Sequence, residues 1–278
     1  MTDHATKPAF VLVQGAWHNR KTWSELTHEL DGLGHAAVAI DLPGAGTNQR
    51  PLDSAALGTE PSPVAGVTQP ERTEAVVAAV REAAGEGNGE VVLVGHSLGG
   101  ATISAVAEQI PNELKAVVYL TAFLLPSGML VGEMLGHEAM ASSEAMSLMV
   151  ADPEVVGAFR VDAGSTDPDY VAVMRSALYG DLTDQQLETA RSRIHNDESA
   201  ALGAEPSNIT ATRFGTVDRH YIKCANDRAI VPEAQDLMIR LVDEEMSTST
   251  TVHNMNTSHN PIYSDPAGLA DILSSIAH

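Results

Sequence analysis

Two patterns of apolar residues alternate along this chain of 278 residues. Short continuous runs rich in β-branched residues are typical of buried strands, and apolar residues three or four positions apart are typical of helices. The first elements are a strand over 10–13, a helix over 21–31 and a strand over 35–40. Because a strand, a helix and a second strand form a βαβ unit, this pattern predicts an α/β fold with a mostly parallel sheet flanked by helices.

The alternation continues over much of the chain. Further strands are predicted over 91–94, 114–120, 220–224 and 249–253, and further helices over 71–84, 101–107, 232–242 and 266–276.

Two long segments interrupt this alternation. Residues 44–70 contain several glycines and prolines without a sustained period, which predicts a long loop. Loops of that length often serve function, so this one is interpreted either as a wall of a substrate entrance or as a tolerated surface insertion. Residues 126–213 show no strand-like run and are interpreted as a mostly helical cap, inserted into a core made of 1–125 and 214–278.

The predicted cap holds six of the ten methionines, among them Met129 and Met134. Flexible thioethers suit a pocket that adapts to apolar ligands, so these two residues are candidates for contact with a substrate. Packing between helices is the alternative for each of them.

Charge and cysteine content narrow the choice of partners. Sixteen basic against 37 acidic residues give a formal net charge of −21, which disfavours nucleic acid and anionic membrane surfaces. No long apolar segment or apolar leader is present, so a cytoplasmic protein is expected. The single cysteine, Cys224, excludes an internal disulfide and is expected to be buried. A homodimer remains possible.

The strand over 91–94 leads straight into Gly95-His96-Ser97-Leu98-Gly99 and then into helical sequence. A serine on a tight turn between a strand and a helix needs small residues two positions before and after it, because the backbones pass closely there. Gly95 and Gly99 meet this requirement. The segment therefore predicts a nucleophile elbow that exposes the hydroxyl of Ser97.

A serine hydroxyl is a weak nucleophile, so Ser97 needs a histidine base and a carboxylate that orients this base. Loops that follow parallel strands gather at one edge of the sheet. Asp227 and His259 each follow a late predicted strand, and they complete a predicted catalytic triad. The alternatives are less well placed: His253 in a strand, His137 and His195 in the predicted cap, Asp218 before its strand and Asp243 at the end of a helix.

The negative charge that develops during acyl transfer requires hydrogen-bond donors, typically two backbone amides. One amide follows the nucleophile and the other lies in the loop after an early strand, which indicates Leu98 and Ala16. Gly15 allows that loop to turn, and Gly15 and Trp17 are candidates for substrate contact. No part of this chemistry calls for a metal or a cofactor.

These segments resemble the α/β-hydrolase superfamily, and within it the branch of plant methylesterases, hydroxynitrile lyases and their bacterial esterase relatives. The matching segments are 11–18, 40–44, 95–100, 119–123 and 227–232, together with His259. The resemblance implies the α/β-hydrolase fold and the triad order Ser, Asp, His. The chain departs from the family at Gln14, where histidine is usual, and in the length of the 44–70 loop.

The expected activity is hydrolysis of esters of small apolar or aromatic substrates through an acyl-enzyme. A lyase on the same scaffold is the first alternative. The resemblance implies threonine at position 15 and lysine at position 260 for such lyases, where this chain has Gly15 and Asn260. The second alternative is a small-molecule receptor without catalysis, for which loss of a triad residue would be the expected sign.

Overall fold

A parallel sheet of six strands forms the centre of the described part of the protein, which in this computed structural model comprises residues 7–45, 52–53 and 55–278. The described strands are β1 (Ala9–Val13), β2 (Ala37–Ala39), β3 (Val91–His96), β4 (Ala116–Leu120), β5 (Ala158–Arg160), β6 (Asp197–Ser199), β7 (Asp218–Cys224) and β8 (Thr251–Met255). The central sheet has the order β2-β1-β3-β4-β7-β8, and every neighbouring pair in it is parallel. Strands β5 and β6 form a separate pair.

The helices of the described residues lie between these strands and after the last of them. They are α1 (Ser24–Gly32), α2 (Gln69–Ala84), α3 (Gly99–Gln109), α4 (Val131–Leu135), α5 (Pro153–Val156), α6 (Pro168–Leu178), α7 (Asp184–Arg191), α8 (Ala201–Ala204), α9 (Pro232–Met246), α10 (Pro261–Ser264) and α11 (Pro266–Ala277). Short 3₁₀ turns lie at Arg20–Trp23, Pro111–Glu113, Glu138–Met140, Ala145–Leu148 and Phe214–Thr216. None of the described helices is long and apolar enough to span a membrane.

Helices cover both faces of the sheet. Alternate residues of the central strands, such as Val11 and Leu93, pack with α2, α3 and α9 on one face. Their neighbours Leu12 and Val94 pack with α1 and α11 on the other face. Because both faces are buried, the central strands are continuous apolar runs, and the predicted parallel sheet flanked by helices is confirmed.

Helix α2 begins at Gln69, two residues before the predicted start. The sequence pattern places Pro70 in the preceding loop, but proline is well tolerated in the first turn of a helix. The carboxylate of Glu71 accepts a hydrogen bond from the backbone amide of Thr68 at 2.8 Å and closes the helix N-terminus.

Residues 126–213, which we call the inserted segment, lie between β4 and β7 and contain α4 to α8. The expectation that this segment has no strand was wrong, because β5 and β6 pair in antiparallel orientation. The sequence of β6 is Asp197-Glu198-Ser199, and all three of these polar residues are buried. No apolar pattern marks such a strand, so periodicity missed it.

Arg160 fastens the described part of the 44–70 loop to this β5–β6 pair. Its buried guanidinium donates to both carboxylate oxygens of Asp197, at 2.6 and 2.8 Å. It also donates to the carbonyl oxygens of Leu57 and Glu60, at 2.9 and 2.8 Å. The hydroxyl of Ser199 donates to the carbonyl of Val67 at 2.8 Å. Loop residues 46–51 and 54 lie outside the described residues.

We expect Arg160→Ala to lower the free energy of unfolding by about 3–5 kcal/mol, because it leaves the carboxylate of Asp197 buried without its partner. The matched control is Arg81→Ala, whose ion pair with Glu113 is 59% and 41% exposed and is worth about 0–1 kcal/mol. Urea unfolding of both variants measures the difference. Equal effects would show that Arg160 does not hold the loop.

Candidate active site

Ser97 stands at the sharp turn between β3 and α3. Its φ of 52° lies in the left-handed region, which costs energy for a residue other than glycine. The turn is held by its carbonyl, which accepts hydrogen bonds from the amides of Gly100 at 3.1 Å and Phe123 at 3.0 Å. The strained turn predicted at Ser97 is therefore present in the structure.

Glycines allow the chain to pass closely around this turn. A Cβ atom on Gly99 would lie 2.7 Å from the carbonyl oxygen of Gln14, and one on Gly95 would lie 2.9 Å from the carbonyl oxygen of Gly99. Both distances are shorter than real Cβ contacts, so any larger residue would displace the turn or the β1 loop beside it.

Asp227 and His259 meet at the carboxyl edge of the sheet. Nδ1 of His259 donates to Oδ2 of Asp227 at 2.6 Å, and both residues are buried. The other oxygen of Asp227 accepts from the amides of Ala229 at 2.7 Å and Ile230 at 3.0 Å. The carboxylate is fixed on both sides, so it holds the His259 ring with Nε2 as its free nitrogen.

Thr121, at the end of β4, is a site residue that the motif analysis missed. Its hydroxyl donates to Oδ2 of Asp227, the oxygen that also binds His259. Its φ is 36°, and its amide donates to the carbonyl of Ile222 at 2.9 Å. The signal that could have found it is its position after a central strand, at the edge where the triad residues gather.

The competing candidates lie in other contacts. Asp218 is 3.1 Å from His220, which lies 3.1 Å from His253. The remaining alternatives are also engaged: Asp243 binds Arg219 at 2.8 Å, Nδ1 of His137 accepts from the amide of Ala139, and Nε2 of His195 lies 3.1 Å from the carbonyl of His18.

Two buried histidines flank His259, and both have lowered pKa values. Burial lowers the pKa of His18 to about 4, and it holds the pKa of His96 well below the usual range. Neutral His18 donates from Nδ1 to the carbonyl of Ala16 at 2.7 Å and accepts at Nε2 from Tyr179 at 3.0 Å. His96 donates from Nε2 to the carbonyl of His259 at 2.9 Å. Both rings therefore act as neutral supports.

Ser97 and His259 open into one narrow cavity of about 70 Å³. Its walls are mainly apolar, and no lysine, arginine or carboxylate lines it among the described residues. The lining consists of Ala16, Trp17, His18, Ser97, Leu98, Phe123, Val131, Leu135, Ala145, Met146, Met149, Phe159, Leu178, Ala229, Ile230 and His259. The two amide positions predicted to bind an oxyanion, Ala16 and Leu98, thus lie in the same cavity as Ser97.

The structure corrects the predicted contacts of Met129 and Met134. Neither lines the cavity: Met134 is fully buried in the core beside the sheet, and Met129 packs against the same core. Val131 and Leu135 of α4 line the cavity instead, while the side chain of Met134 packs in the core. Met146 and Met149 supply the thioethers.

Of the other features predicted to contact substrate, namely Gly15, Trp17 and the 44–70 loop, only Trp17 lines the cavity among the described residues. Gly15 lies beneath Ser97, where a Cβ atom would come within 2.6 Å of the Ser97 Cβ, and it does not line the cavity. Trp17 does line it. Among the described residues of the 44–70 loop, none lines the cavity, so the interpretation as a wall of this site finds no support there.

Trp17 links the loop after β1 to the inserted segment. Its φ is 63°, and its indole N–H donates to the carbonyl of Phe159 at 2.8 Å. The amide of His195 donates to the carbonyl of Trp17 at 2.8 Å. Gln14 anchors the other end of this loop, with its side-chain amide bonded to the carbonyl of Ile40 at 2.8 Å and the amide of Leu42 at 2.9 Å. Gln14 therefore holds this end of the loop in place.

Comparison with known proteins agrees with this fold. The alpha/beta hydrolase family matches residues 10–272, and the chain therefore belongs to this family. Methylesterase 1 from Arabidopsis thaliana is 27% identical, with 100% of this chain and 98% of the relative covered. An alpha-hydroxynitrile lyase from the same plant is 26% identical, with 98% and 97% covered.

A solved structure shows the same architecture. The pyrethroid hydrolase from Sphingobium faniae JZ-2 superimposes with a TM-score of 0.77 at 24% identity, over 97% of both chains. At this identity the likeness establishes the fold alone.

We expect acid to destabilise the protein through His18. The folded state keeps this ring neutral down to about pH 4, whereas the unfolded chain binds a proton near pH 6.5. Its contribution to stability is therefore full above pH 6.5 and is lost as the pH falls from 6.5 to 4, by about 3 kcal/mol.

The measurement is urea unfolding between pH 4 and 7 for wild type and His18→Asn, whose amide can still donate to the Ala16 carbonyl. The wild type should lose more stability than the variant over this interval. Parallel curves would contradict the assignment of a neutral, buried His18.

We expect Thr121→Val to lower kcat about tenfold or more with little change in KM, because a hydrogen bond to a charged group is worth about 1.5–3 kcal/mol. The matched control is Thr257→Val. Thr257 is a buried threonine of the His259 loop whose hydroxyl donates to the buried thiol of Cys224 at 3.4 Å. Steady-state kinetics separate the two variants, and equal activities would remove Thr121 from the site.

Proposed function

We propose that this protein is a serine carboxylesterase that hydrolyses esters with small apolar or aromatic groups through an acyl-enzyme. Ser97 is the nucleophile, His259 the general base and Asp227 the residue that orients His259. The 2.6 Å hydrogen bond between His259 and Asp227 carries this proposal, because it leaves Nε2 of His259 as the proton acceptor in the cavity that Ser97 lines.

The reaction has two balanced halves. The Ser97 oxygen attacks the ester carbonyl while Nε2 of His259 takes the serine proton. The tetrahedral oxyanion is held by the amides of Ala16 and Leu98, at about 2.7–4 kcal/mol for each donor. Collapse breaks the bond to the alcohol, which leaves with the proton from His259. Water then attacks the acyl-enzyme by the same route and releases the acid.

The cavity wall supports an apolar substrate. Trp17, Phe123 and Phe159 contribute aromatic surface, and Met146 and Met149 contribute flexible thioethers. The lack of a cation among the described lining residues disfavours an acid with a second carboxylate. Curated relatives carry the names methylesterase and methyl jasmonate esterase, which favours an alcohol part as small as methyl. In this proposal the inserted segment acts as the cap over the site.

A lyase on the same scaffold is the second candidate, since one relative is named alpha-hydroxynitrile lyase. Two observations disfavour it. The first is Gly15, where the resemblance implies threonine for such lyases; in this chain the Cβ of a threonine at that position would lie 2.6 Å from the Ser97 Cβ. Asn260 is fully buried and donates to the carbonyl of Leu178 at 3.0 Å, so it supplies no charge to the cavity. A receptor without catalysis is disfavoured because the chain retains serine, histidine and aspartate at the triad positions.

We expect wild type to hydrolyse p-nitrophenyl acetate and butyrate and to leave mandelonitrile intact. Ser97→Ala should reduce kcat by about 10³ to 10⁶ with the fold preserved, as expected when a triad acts as a unit. Release of p-nitrophenol and of cyanide measures the two activities.

A fluorophosphonate probe should label wild type at Ser97 and fail to label Ser97→Ala. The matched control is Ser147→Ala, which removes an exposed hydroxyl between Met146 and Met149 and should keep full activity. Cyanide release that depends on Ser97, without ester turnover, would establish the lyase. Full ester turnover by Ser97→Ala would disprove the assignment of the nucleophile.

A further inference from the structure

A second and larger cavity lies behind one wall of the site. We call it the α3 groove; its volume is about 440 Å³, against about 70 Å³ for the catalytic cavity. Its apolar lining includes Ala101 and Ala105 of α3, Leu125, Leu202 and Pro206. Val131 is the one described residue that lines both cavities, so its side chain forms part of the partition between them.

The backbone on either side of Val131 is fixed. On the N-terminal side of Val131, the amide of Ser207 donates to the carbonyl of Met129 at 3.0 Å, and the amide of Gly128 donates to the carbonyl of Ser207 at 2.7 Å. After it, a Cβ atom on Gly132 would lie 3.1 Å from the carbonyl of Gly203, so α4 and α8 pack closely. With the backbone fixed, a smaller side chain at position 131 would leave space in this partition.

We propose that Val131 limits substrate length by separating the catalytic cavity from the α3 groove, which takes an unbranched alkyl chain extending from the ester only when a smaller residue stands at position 131. This inference rests on the proposed esterase function. In the wild type Val131 closes the groove, so turnover is confined to short chains, and a smaller residue admits long ones. Among its described lining residues the groove carries Glu74, Glu108 and Glu205 against one cation, Arg213, which favours a neutral alkyl chain over a chain that ends in a carboxylate.

The test is chain-length selectivity of wild type and Val131→Ala. One series is p-nitrophenyl acetate, butyrate and octanoate, which varies the acyl side. The other is methyl, butyl and octyl acetate, which varies the alcohol side. Burial of one methylene group raises kcat/KM about fourfold, so burial of four added methylene groups raises it by up to about 200-fold. We expect the ratio of kcat/KM for the eight-carbon to the four-carbon substrate to rise at least about tenfold in one series when partial burial is allowed for.

Leu135→Ala is the matched control, because Leu135 lines the catalytic cavity but not the groove. Leu135→Ala enlarges the catalytic cavity without opening the partition. Its ratio of kcat/KM for the eight-carbon to the four-carbon substrate should therefore stay within about threefold of the wild-type ratio, which is less than the effect of one buried methylene group. In Val131→Ala, a second substitution of Ala105→Trp fills the groove and should abolish the gain while acetate turnover persists. Val131→Cys opens the partition less and supplies the same test should the alanine variant not fold.

The outcomes separate the two proposals. A wild type that hydrolyses no ester in either series contradicts the proposed function. A folded Val131→Ala that turns over acetates but keeps the wild-type length ratio in both series overturns the subsite alone, as does a gain that survives Ala105→Trp or appears equally in Leu135→Ala.

Discussion

Close passage of the backbone at Ser97 is the constraint on which the rest of the site depends. Gly99 lies against the carbonyl of Gln14 at the end of β1, and the Ser97 carbonyl accepts the amide of Phe123 beyond β4. The loops that follow three adjacent strands are therefore fixed against one turn. A side chain at Gly99 would therefore displace the turn at Ser97 or the loop after β1.

Parallel strand order then brings the residues of the proposed triad together. Thr121 and Asp227 follow β4 and β7, and His259 follows β8, so all three arrive at the edge where β3 delivers Ser97. Burial lowers the pKa of His18 and of His96, and both rings are therefore neutral beside His259. A positive charge on either ring would oppose the imidazolium that His259 would form as the proposed base.

What could be predicted from the sequence is what local chemistry determines. The apolar runs were sufficient to predict the parallel sheet, and the glycines around Ser97 were sufficient to predict the turn. Strand β6 could not be predicted, because its Asp197 and Glu198 are buried by pairing with Arg160 and Arg72, which lie far away in the chain. The orientation of Met134 depends on how α4 docks, and the contact of Thr121 with Asp227 depends on strand order, so neither follows from local pattern.

The inserted segment contributes to the geometry of the site as well as to its walls. Phe159 accepts the indole N–H of Trp17, which follows Ala16, while the next residue, Arg160, is bonded to Asp197 and to the 44–70 loop. A displacement of β5 would therefore pull on the left-handed turn at Trp17 and on the neighbouring amide of Ala16. The buried charge pair of Arg160 and Asp197 therefore fixes β5 next to the carbonyl that the indole of Trp17 binds.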